Sequence, residues 1–502
     1  MSASEGPAGS VVQRLVEALG DAGLLVSRHA LLPADITDLV DDSRRVSAGS
    51  CFVAVRGEAQ DGHAWLPSAA ARGASMAIVE DASSTDLPCI VVRDSRRAAA
   101  TAAAAFYNWP TRRLTMVGVT GTNGKTTTVG LLRHLLDHPE RRAASIGTLG
   151  VLIGSEGTAL PGGGGLTTPG PVELQRLLSD LAEAGVRVVA MEVSSHSLEQ
   201  RRVEGVSFAA GVFTNLTRDH LDYHHTMEAY LAAKARLVGL LSRDGVAVIN
   251  ADDSAWQGLT ATRKVSFGIE TPADVMARDI EYSPEGSRFL LVAPHGASPV
   301  SLPLVGDFNV ANALGAAAAA LALGESIGDV SARLSSLPQV AGRLERLHEQ
   351  PTVLREYAHT PDALERAIRA VRPFAAKGRV IVLFGCGGDR DRGKRPEMGR
   401  IAESLADTVI LTSDNPRTEN PEAILDDIEQ GMSRRDHLRI EDRREAIAQA
   451  LALATREDVV LLAGKGHENY QIRGTVSYPF DESVIVRELT SARASRAGEV
   501  SV

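Results

Sequence analysis

At 502 residues the chain is too long for one ordinary domain, and its length favours roughly three. Hydrophobic residues at 44% supply ample core, while a net charge of −10 with scattered basic residues argues against nucleic acid as a partner. The longest apolar tract, 314–323, is mostly alanine and too short to cross a bilayer, so no membrane insertion is expected.

Cys51, Cys89 and Cys386 are far apart and odd in number, forming neither a disulfide framework nor a C-x-x-C site, which fits a reducing compartment. Residues 1–10 are polar, so no signal peptide is expected, and the cytoplasm is the expected location. In chain order, the first segment, 1–111, mixes short strands at 50–55, 76–79 and 90–92 with alanine-rich helices such as 98–106. Asn108-Trp109-Pro110 marks its end. The second, 112–342, opens with an apolar strand at 114–119, the turn T-G-T-N-G-K-T-T at 120–127, and a helix from Thr126 onward. Strands at 186–193, 211–214 and 245–250, with helical patterns between several of them, predict an α/β segment on a parallel sheet. Residues 227–238 pattern as an amphipathic helix, 288–292 and 300–304 as hairpin strands, and 310–323 as a helix in which alanine allows tight packing. The pattern changes near 338–344. The third segment, 343–502, holds strands at 379–384, 408–411 and 458–462, each ending in a polar or glycine-rich cluster at 385–394, 412–417 or 463–468. Ligands of open α/β sheets bind beyond the carboxyl ends of strands, so these clusters are expected to converge on one site.

The strand, turn and helix at 114–128 carry the clearest chemistry. Gly121, Thr122, Asn123 and Gly124 let backbone N–H groups curl around phosphate oxygens, Lys125 adds a point charge, and Thr126, followed by Thr127, offers a hydroxyl to Mg²⁺. ATP is the expected ligand. Glu192 is placed at the end of a strand beside this loop, where a carboxylate suits a hard cation. By local pattern alone, His220 is a loop histidine, Lys234 a solvated helix lysine, and Asn309 the N-cap of the helix at 310–323.

The loop departs from the generic G-x-x-x-x-G-K-[ST], because Val119 stands where the first glycine would be. Its form resembles the nucleotide loop of the Mur ligase and folylpolyglutamate synthetase superfamily. Further motifs extend the resemblance to the Mur ligases over nearly the whole chain. They are M-E-V-S-S-H at 191–196, L-T-R-D-H-L-D-Y-H at 216–224, A-Y-L-A-A-K at 229–234, N-V-A-N at 309–312 and G-R-L-E at 342–345. The C-terminal set is Y-A-H-T-P-D at 357–362, G-C-G-G-D-R-D at 385–391, D-N-P-R at 414–417 and G-K-G-H-E at 464–468. The resemblance implies three α/β domains: an N-terminal UDP-binding domain, a central parallel-sheet P-loop ATPase domain, and a Rossmann-like C-terminal domain that binds an amino acid.

Residue roles follow by the same resemblance. Mg²⁺ would be held by Thr126, Glu192 and His220, and Lys234 would carry a CO₂-derived carbamate that helps hold a second ion. Asn309 and Arg343 would contact the nucleotide base and ribose. Glu356 stands where the family usually has an aspartate, an acid one methylene longer and a candidate ATP contact. Ser43 and the loop 57–62 would meet the uridine diphosphate, and Thr167, Thr168, Ser194, Gln200 and Arg202 the muramoyl dipeptide. The glycine run at 162–165 reads as a mobile loop. Arg390, Asp414, Asn415, Pro416, Arg417, Gly464 and Glu468 would bind meso-diaminopimelate, with Arg417 on its distal carboxylate.

The activity so implied is the ATP-dependent addition of meso-2,6-diaminopimelate to UDP-N-acetylmuramoyl-L-alanyl-D-glutamate, by a monomer making a peptidoglycan precursor. It would run through an acyl phosphate, with Lys125 neutralising charge and His359 accepting a proton or orienting the amine. Three alternatives stand beside it: an L-lysine-adding ligase of the same family, a folylpolyglutamate synthetase, and a P-loop ATPase in which hydrolysis drives a change of shape. The second would lack the N-terminal domain and D-N-P-R, and the third would need no acceptor amine.

Overall fold

The computed structural model describes residues 9–57, 60–162, 166–283, 285–375, 377–434 and 436–499, with 492–499 described as backbone alone. Glu58 and Ala59 of the expected uridine-diphosphate loop, and 163–165 of the glycine run, lie outside the described residues. Three large sheets organise the chain. The first runs in the order Leu25–His29, Cys89–Val92, Met76–Val79, Cys51–Val53, Leu39–Val40, parallel except for its first pair. Helix Ser95–Phe106 packs on it through an alanine face that is completely buried, small side chains letting the helix approach closely.

The central sheet has eleven strands. In its middle, Leu241–Asn250, Phe208–Phe213, Thr115–Thr120, Val186–Glu192 and Arg142–Gly147 run parallel in that order. Thr115–Thr120 is therefore flanked on both sides, and the loop after it opens at the carboxyl edge of the sheet. The expected parallel sheet holds through the middle and the expected hairpin strands are present, with antiparallel strands at both ends. Gly150–Ile153 and Thr158–Leu160 extend one side as antiparallel strands, and Val275–Ser283, Gly286–Ala293 and Gly296–Leu302 form an antiparallel meander on the other. Short hairpins connect these strands where no crossover helix is present. Helix Asp307–Ala322 lies over the sheet against the phosphate-loop helix Lys125–Leu136, with Ala316–Ala320 fully buried between them. It starts earlier than expected, because Gly306 at φ +96° supplies the chain reversal. Asn309 is therefore inside the first turn and is not the N-cap.

The third sheet is ordered Glu345–His348, Thr352–Glu356, Val459–Ala463, Val380–Phe384, Thr408–Leu411, Leu438–Arg439, and only the first pair is antiparallel. A separate hairpin, Tyr470–Arg473 with Val476–Pro479, follows it. Among the described residues no helix is long and apolar enough to cross a membrane.

Candidate active site

The loop after Thr115–Thr120 is held from the neighbouring strand end. Thr122 N–H donates to the Asn215 carbonyl at 2.7 Å, Asn123 N–H to Asn215 Oδ1 at 2.9 Å, and Thr214 Oγ1 to the Asn123 carbonyl at 2.7 Å. Gly121 (φ +151°) and Gly124 (φ +83°) leave no room for a side chain, since a Cβ would strike Thr214 Oγ1 in one case and Asn312 Oδ1 in the other. Gly124 caps the helix without a side-chain bond, so the first-turn N–H groups of Lys125–Leu136 are not capped by a neighbouring side chain there. Lys125 Nζ donates to the carbonyls of Gly121 (3.0 Å) and Thr122 (2.8 Å).

Lys234 overturns its local pattern. It is 1% exposed, its Nζ donates to the same Gly121 carbonyl at 2.7 Å, and the ammonium lies over the Tyr230 ring at 4.4 Å. Burial first, and the Lys125 charge second, hold its pKa well below the ordinary lysine range, with Asp219 opposing. Thr126 Oγ1 donates to Glu192 Oε1 at 3.0 Å, and that carboxylate also accepts from Thr148 N–H at 2.8 Å. Among the described residues no three His, Cys, Asp or Glu side chains form a metal-holding group. The hydroxyl and carboxylate oxygens of Thr126 and Glu192 nevertheless fit Mg²⁺, which commonly completes its octahedron with water and phosphate. His220 packs edge-on to His196 at 4.8 Å and has Nε2 3.4 Å from Asp219 Oδ2. Burial lowers its pKa to about 4.

The expected dipeptide residues form one network. Thr168 Oγ1 donates to the Glu192 carbonyl (2.9 Å) and accepts from Ser194 N–H (3.1 Å), Arg202 Nη1 donates to the Thr168 carbonyl (3.1 Å), and Arg202 Nε donates to Gln200 Oε1 (3.0 Å). Thr167 Oγ1 accepts from Thr148 at 3.4 Å. Ser43 opens a short 3-10 turn, Ser43–Arg45, whose Arg45 reaches Glu173 at 3.3 Å on the helix following Thr168. The first sheet's unit thus abuts the dipeptide network.

The third sheet's unit meets the phosphate loop. Arg343 Nη2 donates to Thr126 Oγ1 (2.9 Å), Asn123 Nδ2 donates to Asp362 Oδ2 (2.9 Å), and Arg343 stacks over Tyr357 at 4.7 Å. Glu356 is buried, accepts from Leu344 N–H at 2.7 Å and lies 3.9 Å from Arg343, with its pKa raised by burial. It faces Arg343 and not the loop directly. Asn309 is fully buried, its Nδ2 donating to the Val305 carbonyl at 2.8 Å. His359 has Nδ1 3.0 Å from the Tyr357 carbonyl, and burial, aided by the Lys394 charge, lowers its pKa to about 4.

The three clusters at the ends of the third sheet's strands do converge. Gly388 N–H donates to the Asn415 carbonyl (2.9 Å), Asn415 Nδ2 to Glu468 Oε2 (2.8 Å), and Gly464 lies against Asp414 Oδ2. Arg417, in the left-handed region at φ +51°, donates to the Gly388 carbonyl at 2.8 Å. Among the described residues no carboxylate lies within 4.0 Å of it. Arg390 is exposed, donates to the Asp389 carbonyl 3.2 Å away, and has its stem by Gly387, against which the Arg417 guanidinium also lies. The sequence reading missed Thr148, Asn215 and Lys465. Lys465 is fully buried, and its place between two glycines at a strand end was the one available signal.

Comparison with known proteins agrees with this geometry. Family models described as the Mur ligase family catalytic domain, the Mur ligase middle domain and the Mur ligase glutamate ligase domain match residues 35–107, 119–320 and 342–466. A UDP-N-acetylmuramoyl-L-alanyl-D-glutamate--2,6-diaminopimelate ligase of Gloeobacter violaceus is 46% identical, over 96% of this chain and 99% of its own. The protein of that name from Geobacillus kaustophilus is 45% identical over 91% and 96%. A solved structure of a ligase of the same name superposes with a TM-score of 0.65 at 35% identity, covering 93% of this chain and 98% of its own. With similarity of this extent and a phosphate loop, dipeptide network and strand-end cluster in the matching order, the chain belongs to the Mur ligase family.

Proposed function

We propose that the chain joins meso-2,6-diaminopimelate to UDP-N-acetylmuramoyl-L-alanyl-D-glutamate using ATP, as the names of its relatives indicate. The observation that carries the choice of amine is Arg417, a guanidinium without a carboxylate partner among the described residues, set beside Asp414 and Glu468. That combination suits an amino-acid end bearing both an ammonium and a carboxylate. L-Lysine would leave the guanidinium desolvated and unpaired. The boundaries 1–111, 112–342 and 343–502 divide the work between uridine nucleotide, ATP and amino acid, in a monomer acting in the cytoplasm.

The substrate carboxylate attacks the γ-phosphorus, giving an acyl phosphate and ADP. The amine then attacks the acyl carbon, and phosphate leaves. No protein nucleophile is required, so catalysis is positioning and charge neutralisation. Lys125 and the loop N–H groups that Asn215 does not take up, from Gly124 onward, receive the phosphates, and Asn309 and Arg343 would contact the base and ribose. Thr126 and Glu192, with His220 by family resemblance, would hold Mg²⁺, which would supply Lewis-acid charge neutralisation at the phosphates. Lys234, a buried amine of lowered pKa, is suited to hold CO₂ as a carbamate and so turn a cation into an anionic ligand. His359 keeps its Nδ1 proton on the Tyr357 carbonyl, and with its pKa lowered to about 4 its Nε2 is suited to accept a hydrogen bond that orients the incoming amine rather than to take its proton. Ser43, Thr167, Thr168, Ser194, Gln200 and Arg202 hold the uridine-linked dipeptide.

The test is ADP release by purified protein. It should require both the UDP-dipeptide and meso-diaminopimelate, with L-lysine a far poorer substitute, and Arg417→Ala should lose most of that preference. Release without an amine would return the chain to the ATPase reading, and equal use of lysine would overturn the choice of amine alone.

A further inference from the structure

The strand-end cluster contains a cation with no role so far. Lys465 is fully buried, and its Nζ meets three acceptors: the Tyr470 carbonyl at 2.8 Å, Asn415 Oδ1 at 3.1 Å and Glu468 Oε2 at 3.5 Å. Three acceptors match the three N–H donors of an ammonium, whereas a neutral amine would turn its lone pair on one of them. Lys465 is therefore charged in place, although burial pulls its pKa down and Asp414 and Glu468 push it back up.

Its contacts also fix the neighbours. Asn415 Oδ1 accepts from both Lys465 and Ile472 N–H (3.0 Å), so the amide has one orientation, with Nδ2 on Glu468 Oε2 at 2.8 Å. One oxygen of Glu468 is thereby occupied from the protein side. Asp414 and Glu468 stand against Arg417 and Lys465 there, and the buried Arg443–Glu482 pair behind them cancels within itself. Arg390 lies exposed between Asp389 and Asp391, outside this set. The four sum to zero, whereas without Lys465 they would sum to one negative charge.

Resting on the ligase reading above, we infer that Lys465 is a specificity-determining residue, whose ammonium balances one of the two acids so that the site accepts a zwitterionic amino-acid end and disfavours a lone ammonium. A site with net charge −1 would attract the singly cationic end of L-lysine, and a neutral one gains nothing from it. Lys465 reaches no substrate in this scheme. It acts through Asn415, Glu468 and the summed field.

The experiment compares kcat/KM for meso-diaminopimelate and L-lysine at saturating ATP and UDP-dipeptide, using the full chain. In Lys465→Met, a similar apolar length without the charge, the diaminopimelate-to-lysine ratio should fall by about tenfold or more, chiefly through KM. Glu468→Gln, which leaves the buried lysine in place, should slow both amines but move the ratio the other way. The double variant restores the neutral sum and should return the ratio toward the wild-type value. A purely structural Lys465 would lower both amines alike and leave the ratio unchanged, which overturns the inference. If Lys465→Met does not fold, Glu468→Gln decides: an unchanged ratio there overturns it equally. A wild type that turns over neither amine removes the ligase reading instead, before any variant is made.

Discussion

Two lysines share one carbonyl. Lys125 and Lys234 both donate to Gly121, so two ammonium groups would stand side by side in a buried place; burial lowers the pKa of both, Lys234 well below the ordinary lysine range, while Glu192 and Asp219 pull Lys125 back up. Lys125 remains the cation for phosphate, and its present partners are backbone carbonyls that a phosphate oxygen can replace. Lys125→Ala should therefore reduce turnover on the order of a hundredfold or more, with the thermal midpoint nearly unchanged, because the lysine fills no core. Wild-type turnover in that variant would sink the assignment of the ATP site. Lys234 is the amine suited to CO₂, since a neutral nitrogen is the nucleophilic form. Lys234→Ala should lose most activity, Lys234→Glu should recover part of it by returning an anion, and the wild type should gain activity with added bicarbonate. A fully active Lys234→Ala would remove both the carbamate and any catalytic role for this side chain.

At the level of elements, the three ligand-bearing loops of the third sheet each rest on a fully buried cation. Arg395 reaches the Gly387 carbonyl (3.2 Å) as well as Glu419 and Asp427, Arg443 reaches the Ala463 carbonyl (2.9 Å) and pairs with Glu482 (2.8 Å), and Lys465 reaches Asn415 Oδ1 (3.1 Å). Strand ends that would otherwise present bare carbonyls to the interior are thus fixed in position below the amino-acid site. Arg443→Met, leaving Glu482 buried without a partner, should cost about 3–5 kcal/mol in urea unfolding, and Arg443→Met with Glu482→Leu should recover part of it. No recovery would mean that the lost carbonyl bonds, and not the stranded charge, carry the cost. Such long-range pairs are the part of the fold that the sequence hid. Met76–Val79 and Thr408–Leu411 were legible to the residue because their apolar runs need no distant partner. Arg142–Gly147 was not, since its alanines and serine have little strand preference and become a strand only by burial between two others. Thr352–Glu356 ends in Arg355 and Glu356, a pair that reads as surface and is in fact buried against Glu345 and Arg343. The phosphate loop and D-N-P-R were plain because contiguous residues carry them. Lys234 looked like a solvent lysine because what buries it is remote in sequence.

Over the whole molecule, the three units meet around the phosphate loop, and that region partly desolvates a set of histidines. His196, His220, His224, His359 and His467 all have pKa values lowered by burial to about 4, against 6.5 for an exposed imidazole. In the native protein they are neutral below pH 6.5, where the unfolded chain takes up a proton at each. The unfolded state thus binds more protons between pH 6.5 and about 4, so stability falls as pH drops through that window and levels off beneath it. After allowance for solvent screening, each histidine contributes on the order of 1–3 kcal/mol at the acid end, and above pH 6.5 none of them does. The carboxylates act lower down. Glu419 and Asp458, held at about 2 by bonds to Arg395 and Arg379, lose their contribution only as pH falls from near 4 toward 2. The two losses are therefore separable. His467 isolates the first: its ring packs on Tyr357 at 5.3 Å, and its Nδ1 is buried without a hydrogen-bond partner. His467→Gln cannot titrate, so the fall in its thermal midpoint from pH 7 to pH 4.5 should be smaller than that of the wild type, even if its midpoint at pH 7 is lower. A wild-type midpoint that stays flat across this range, or an identical fall in the variant, would show that these histidines do not set the acid limit of the fold.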